Sequence, residues 1–313
     1  MSASGGNSSH GMSINVPFSR RPPDLTGSVE RIDQFPDKYG GYADVWKCKY
    51  YKGSNREGKE MVAVKCIRLL SELTQEEKER AIKQLRGEVH IWVRLPLHSH
   101  VLPLYGTVDG FAPIPALVSP WAENGTLTTY LGSKRQLPYS RRLEIILQVT
   151  SGLGHLHSSN ICHGDLTGSN ILIDRNEDML ISDFGLSSII AKFNHTSYFK
   201  SCRPGAIRWA DPQLFTDSTD ANDSSLPRAD MKNDIYSMGC IILQVVTGSV
   251  PYHGKSDWAV QLAKYNKQNP VIPPTVSQYL ADLMGVCWSN DQSQRPTLEG
   301  IRRTIQWELN SQM

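Results

Sequence analysis

The sequence predicts an α+β chain, with strands gathered towards the N-terminus and long helices in the remainder. Three observations carry this. Runs at 42–50 and 61–67 are rich in β-branched and aromatic residues and have strand character. Apolar residues then recur at helical spacing from Ser140 to Ser158 and again at about 256–267, 277–288 and 298–310. Between these regions lies a polar loop, His163-Gly164-Asp165-Leu166-Thr167-Gly168-Ser169-Asn170, followed by two short apolar runs (171–173 and 179–181) and Asp183-Phe184-Gly185.

The chain has 313 residues, enough for one large or two modest domains, and shows no internal repeat. A net charge of +2 gives no electrostatic case for nucleic acid or an anionic membrane as main partner. The longest apolar runs, such as Ile241-Ile242-Leu243, are far too short to cross a bilayer. Met1 to His10 has neither the basic nor the apolar part of a secretory signal. Six cysteines without a C-x-x-C pair suit reduced thiols, so the expected location is the cytoplasm, with the nucleus also open.

In chain order, residues 1–27 are Ser-, Gly- and Pro-rich and predict a disordered tail. A turn holding Gly40 and Gly41 leads into a strand through Ala43 and Val45; such glycines let backbone amides approach phosphate oxygens, but by themselves fit an ordinary hairpin. The next strand, Met61 to Ile67, embeds Lys65. An interior ammonium needs an anionic partner, and otherwise such a lysine points to water at a strand edge. A helix follows from Thr74, which forms a capping-box pattern with Glu77, to about Arg94. On it Glu88 lies beside Leu85 and Trp92, whereas Glu72, Glu76, Glu77 and Glu79 come too early and read as solvated. His98 and His100 lack a third ligand and belong to a loop entering a strand over 101–105. His155 and His157 read as helix-end residues. Taken singly, Asp165 is a turn carboxylate and Asp183 a helix cap.

Together these elements read differently. Phosphoryl transfer from a nucleotide needs a carboxylate facing the attacking hydroxyl, and an amide oxygen with a second carboxylate to hold Mg²⁺. H-G-D-L-x-x-x-N followed by D-F-G resembles the eukaryotic protein kinase family, over roughly 29–310, and Arg208-Trp209 leans towards its tyrosine-kinase-like group. The resemblance implies the two-lobed protein kinase fold: a small β-rich N-lobe with helix C over about 28–121, and a larger, mainly helical C-lobe over about 122–310. It implies ATP and Mg²⁺ as cofactors, a protein substrate with Ser/Thr ahead of Tyr as acceptor, and regulatory protein partners. Asp165 becomes the base, and Asn170 and Asp183 the metal ligands. Lys65 holds the phosphates and pairs with Glu88. Gly40, Gly41, Ala43, Val45 and Ala63 enclose the nucleotide. Ser119 takes the gatekeeper position, and the Pro120 carbonyl and Ala122 N–H meet the adenine; proline lacks only the donor that this position does not use. Asp234 accepts N–H bonds from the catalytic loop.

Several positions depart from the family pattern. Lys38 and Ala43 replace the first and third glycines of the nucleotide loop. Gly164 replaces the arginine that meets an activation-loop phosphate, which implies activity independent of loop phosphorylation. Thr167 and Ser169 stand where the family carries a lysine or arginine. Gln213 replaces the glutamate that pairs with a late arginine, here Arg295, to which Gln213 is expected to hydrogen-bond. These changes keep a second reading open, a pseudokinase that binds nucleotide or a partner as a scaffold or allosteric module. Ser187, Ser188, Thr196, Ser197, Tyr198 and Ser201 form a hydroxyl-rich exposed loop by default.

Overall fold

The computed structural model describes residues 22–39, 43–53, 58–68, 92–112, 114–134, 136–184, 205–215 and 230–311, together with Glu76, Glu79 and Val89. Six strands form one antiparallel sheet: β1 (Val29–Arg31), β2 (Lys38–Tyr39), β3 (Ala43–Lys52), β4 (Gly58–Ile67), β5 (Gly106–Val108) and β6 (Ala116–Pro120). Their order is β1-β3-β4-β6-β5, with β2 paired to β3. Side chains alternate across a strand, and β4 shows the consequence. Val62, Val64 and Cys66 are buried on one face with Cys48, Val108, Ala116 and Val118, while Ala63 and Lys65 turn to the other. Burying each such valine contributes roughly 1.5–3 kcal/mol, so the register Val45↔Lys65 and Ala63↔Ser119 is strongly specified.

A short helix, a long one and a hairpin lead away from the sheet. Helix α1 (Leu127–Ser133) starts at a Thr126–Thr129 capping box. Helix α2 (Tyr139–Ser158) buries Leu143, Ile146, Val149, Leu153 and Leu156, spaced three or four apart as one face of a helix requires. It packs against α3 (Met231–Thr247) and α6 (Leu298–Asn310). Helix α3 is buried from Asn233 through Val245 and ends on Gly248 at φ +74°, whose N–H bonds the Gln244 carbonyl. Helices α4 (Asp257–Tyr265) and α5 (Gln278–Cys287) each begin on a serine cap. The hairpin of β7 (Ile171–Ile173) and β8 (Met179–Ile181) falls on the two apolar runs expected from the sequence.

Two boundaries differ from expectation. Val101 makes only an isolated bridge to Ile181, and the strand begins at Gly106. Pro103 has no N–H to continue a ladder, and Leu102 N–H is already given to the Ile181 carbonyl (2.9 Å). Residues 22–27, expected in the tail, lie against β5: Leu25 is buried and exchanges backbone bonds with Thr107 together with Pro23 (2.8 and 2.9 Å). A single leucine reaching a sheet edge orders this stretch. Residues 1–21 lie outside the described residues.

Candidate active site

The sheet and the hairpin meet the helical part of the chain at one cleft. Opposed residues of an antiparallel pair share a face, so the strand register puts Val45, Ala63, Lys65, Leu117 and Ser119 on the same side of the sheet. Four of these were expected around a nucleotide. Lys47, opposite Ala63, joins them, and its ammonium sits 4.8 Å from the Trp121 ring. Lys38, in place of a glycine, also reaches that ring, at 6.0 Å. Lys47 was not singled out at the cleft from the sequence, although counting by twos from Val45 leads to it. Ser119 is buried, and Trp121 N–H donates to the Met61 carbonyl (3.1 Å), which ties the connection after β6 to β4.

Lys65 crosses the cleft to form an ion pair with Asp183. Both side chains are largely buried, at 15% and 17% exposure, so each supplies the opposite charge the other needs. Asp183 itself holds φ +63°, unusual for a non-glycine residue. Phe184 beside it is buried edge-on against Trp92, with ring centroids 5.2 Å apart.

The loop between α2 and β7 supplies the other two groups. Asn170 donates from Nδ2 to both the backbone carbonyl (2.7 Å) and the Oδ2 (3.0 Å) of Asp165, binding the two candidate residues together. Ser182 fixes Asn170 from the β8 side, donating to its carbonyl from N–H (2.8 Å) and Oγ (2.9 Å). Asp234, at the start of α3, accepts from His163 N–H (2.8 Å) and Gly164 N–H (2.9 Å). His157 Nε2 lies 2.8 Å from the same carboxylate, so this residue does more than end a helix. Gly164 sits at φ +74°, where a residue with a Cβ costs about 1–2 kcal/mol. The glycine thus relieves strain at the position where the family carries arginine. His163 is fully buried, and desolvation holds its imidazole below the ordinary value, against the opposing pull of Asp234 and Asp183. Thr167 is buried, whereas Ser169 is exposed.

Beyond the cleft, the carboxylate that meets Arg295 is that of Asp211, an ion pair in which both side chains are essentially inaccessible. Gln213, expected on Arg295, donates from Nε2 to the Asn290 carbonyl (2.6 Å). Its chain leaves Asp211 only after a turn in which Gln213 N–H bonds Asp211 Oδ1 (3.0 Å), and this puts the shorter acid on the arginine. His98 and His100 are ring neighbours, 5.7 Å apart, and no group of three or more metal-binding side chains occurs among the described residues. Gly40, Gly41, Glu88, Gly185 and the hydroxyls over 187–201 lie outside the described residues. A cavity of about 930 Å³ opens behind the connection after β6, against Lys59, Tyr105, Trp121 and Arg175, and is separate from the Lys65–Asp183 cleft.

Comparison with known proteins identifies the family. The family profile "Protein tyrosine and serine/threonine kinase" matches residues 38–305. The chain therefore belongs to the eukaryotic protein kinase family, with resemblance to its tyrosine-kinase-like group, and has the two-lobed α+β kinase fold. It is 28% identical over 267 residues to the probable serine/threonine-protein kinase kinX of Dictyostelium discoideum, covering 85% of this chain and 22% of that protein. It is 29% identical over 272 residues to the probable serine/threonine-protein kinase SIS8 of Arabidopsis thaliana (85% and 24%). Against the serine/threonine/tyrosine-protein kinase HT1 of Arabidopsis thaliana it is 25% identical over 258 residues (81% and 61%). The chain thus spans less than two thirds of each of these relatives. Among the described residues, no helix is long and apolar enough to cross a membrane.

Proposed function

We propose that this chain transfers the γ-phosphate of ATP, in the presence of Mg²⁺, to a hydroxyl of a protein substrate, with Ser/Thr ahead of Tyr. The observation that carries this reading is the convergence of the Lys65–Asp183 ion pair and the bonded Asp165–Asn170 pair on one cleft. Asn170 and Asp183 offer the hard oxygen ligands that suit Mg²⁺, and bound there the ion neutralises phosphate charge. Lys65 orients the α- and β-phosphates, with Glu88 as the partner that the family resemblance implies for it. Asp165 accepts the proton of the attacking hydroxyl. The Pro120 carbonyl and Ala122 N–H take the adenine, and Gly40, Gly41, Ala43 and Val45 are assigned to nucleotide binding by the family resemblance. The N-lobe on this reading covers about 28–121 and the C-lobe about 122–310. The described cysteines are free thiols, in keeping with a cytoplasmic or nuclear place of action, with regulatory proteins as further partners.

One observation favours the pseudokinase alternative: Thr167 is buried and Ser169 is short, so neither brings a cation to the transferring phosphate. The test compares phosphate incorporation into generic protein substrates from Mg-ATP by the wild type and by Asp165→Asn. Incorporation lost in the variant supports the enzyme, and equal incorporation removes it. Thermal shift by ATP with and without Mg²⁺ then separates a nucleotide-binding scaffold from a fold that binds neither.

A further inference from the structure

The cavity of about 930 Å³ behind the connection after β6 has two walls, with Met61, Pro103 and Tyr105 on the sheet side and Arg175 and Leu180 on the hairpin of β7 and β8. Its size is that of a ligand pocket. The walls already face each other electrostatically. Tyr105 donates to Glu60 (2.6 Å), which also pairs with Lys52, and the Arg175 charge acts on both Glu60 and Tyr105 from the hairpin. Leu97 belongs to the same lining and is 87% exposed. Lys59 and Arg175 share the lining with Glu123 and Asp174, so net charge alone does not choose the occupant.

Chain direction does choose it. Asp24 bridges Thr107 in parallel: Thr107 N–H donates to the Pro23 carbonyl (2.9 Å) and Leu25 N–H to the Thr107 carbonyl (2.8 Å). Gly106 fixes this approach, since a Cβ there would stand 2.3 Å from the Pro23 carbonyl oxygen. Parallel segments run the same way, so residues preceding Pro23 in that direction would pass back beside Tyr105 and Pro103, on the cavity wall. Pro22 and Pro23 disfavour a helical backbone just before them. Further upstream, Ile14, Val16 and Phe18 alternate at i, i+2 and i+4, which puts them on one side of an extended chain. Phe18 is four residues before Pro22, as Val101 is before Tyr105, and this register brings it level with Val101, which also lines the cavity.

We propose that residues 14–21 of this same chain occupy the cavity, with Phe18 against Leu97, Val101 and Leu180. A tethered segment has an effective concentration on the order of millimolar, so a contact too weak to hold a separate peptide suffices. Seated there, the segment braces β4, which carries Lys65, against β8, which leads to Asp183. The proposal stands whether or not the chain transfers phosphate. Its test is limited trypsin digestion of the full chain at Arg20, the first basic residue in the sequence, with release of residues 1–20 followed by mass spectrometry. The rate of release should rise at least about tenfold in Phe18→Ser and in Leu97→Ser, with thermal unfolding of both unchanged. Leu97→Ser leaves the cleaved sequence itself intact. Equal rates in all three chains overturn the proposal. Acceleration in Phe18→Ser alone does so too, because the segment would then be held away from the cavity. So does a wild-type rate that rises on about hundredfold dilution together with a dimer in light scattering, which would place the segment on a second copy.

Discussion

Replacing Asp234 with asparagine should loosen the catalytic loop while leaving its shape unchanged. The carboxylate accepts three close contacts: Oδ2 from His163 N–H and His157 Nε2, both at 2.8 Å, and Oδ1 from Gly164 N–H at 2.9 Å. It is 1% exposed, so water cannot replace what it gives up. A carboxamide has one acceptor oxygen. If that oxygen takes the Oδ2 place, the new NH₂ confronts the Gly164 N–H donor to donor; if it flips, His163 N–H loses its acceptor instead and His157 Nε2 must accept from the NH₂. Either way one hydrogen bond to a charged group disappears, worth about 1.5–3 kcal/mol. Asp234 also lies in the first turn of α3, where losing a negative charge costs about 0.3–1 kcal/mol. The sum is about 2–4 kcal/mol. Urea unfolding of wild type and Asp234→Asn at 25 °C reads this directly, and the melting temperature should fall by roughly 5–12 °C for a domain of this size. Phosphate transfer should fall with it, because Asp165 rides on the same loop. A variant within about 0.5 kcal/mol of wild type, the scatter of ordinary surface changes, would refute the claim that Asp234 holds the loop.

Three further outcomes are expected. Arg295→Met strands the inaccessible Asp211 carboxylate and should destabilise by about 3–5 kcal/mol in urea unfolding, with Asp211→Asn in the same chain recovering part of it. Burial keeps the His163 imidazole below its usual 6.5, so the folded state binds fewer protons than the unfolded one. Its contribution is complete above about 6.5 and is lost as pH falls towards the folded value, at up to about 1.4 kcal/mol per unit. His163→Phe should lack that part of the slope between pH 6.5 and 5.5, and identical slopes would show that the ring titrates normally. Ser169→Arg places a cation on an exposed position beside the cleft and should raise the rate of phosphate incorporation by at least about tenfold, a fraction of what such a donor supplies; an unchanged rate would show that the transferring phosphate does not lack a cation.

How far the site could be foreseen depends on whether its parts are local or distant in sequence. The strand alternation around Lys65 and the apolar runs at 171–173 and 179–181 are local patterns, and the observed elements fall where those patterns lie. The place of Asp234 under the loop followed from the family resemblance, since no spacing links it to His163. Contacts made only by folding left no such trace. Gly152 lies mid-helix, where glycine is unfavourable, yet a Cβ there would come within 2.4 Å of the His100 carbonyl oxygen, the same carbonyl that accepts Ile181 N–H. The glycine lets α2 press against the segment before β5, whose His100 carbonyl bonds β8 at Ile181. Arg295 shows the same limit from the other side. The sequence aligns it with Gln213, but a carboxylate two residues earlier is already desolvated, and a buried guanidinium gains more from that charge than from a neutral amide. Electrostatics at that site therefore overrides the family register, and the closing ion pair moves to Asp211 with the arginine held in place.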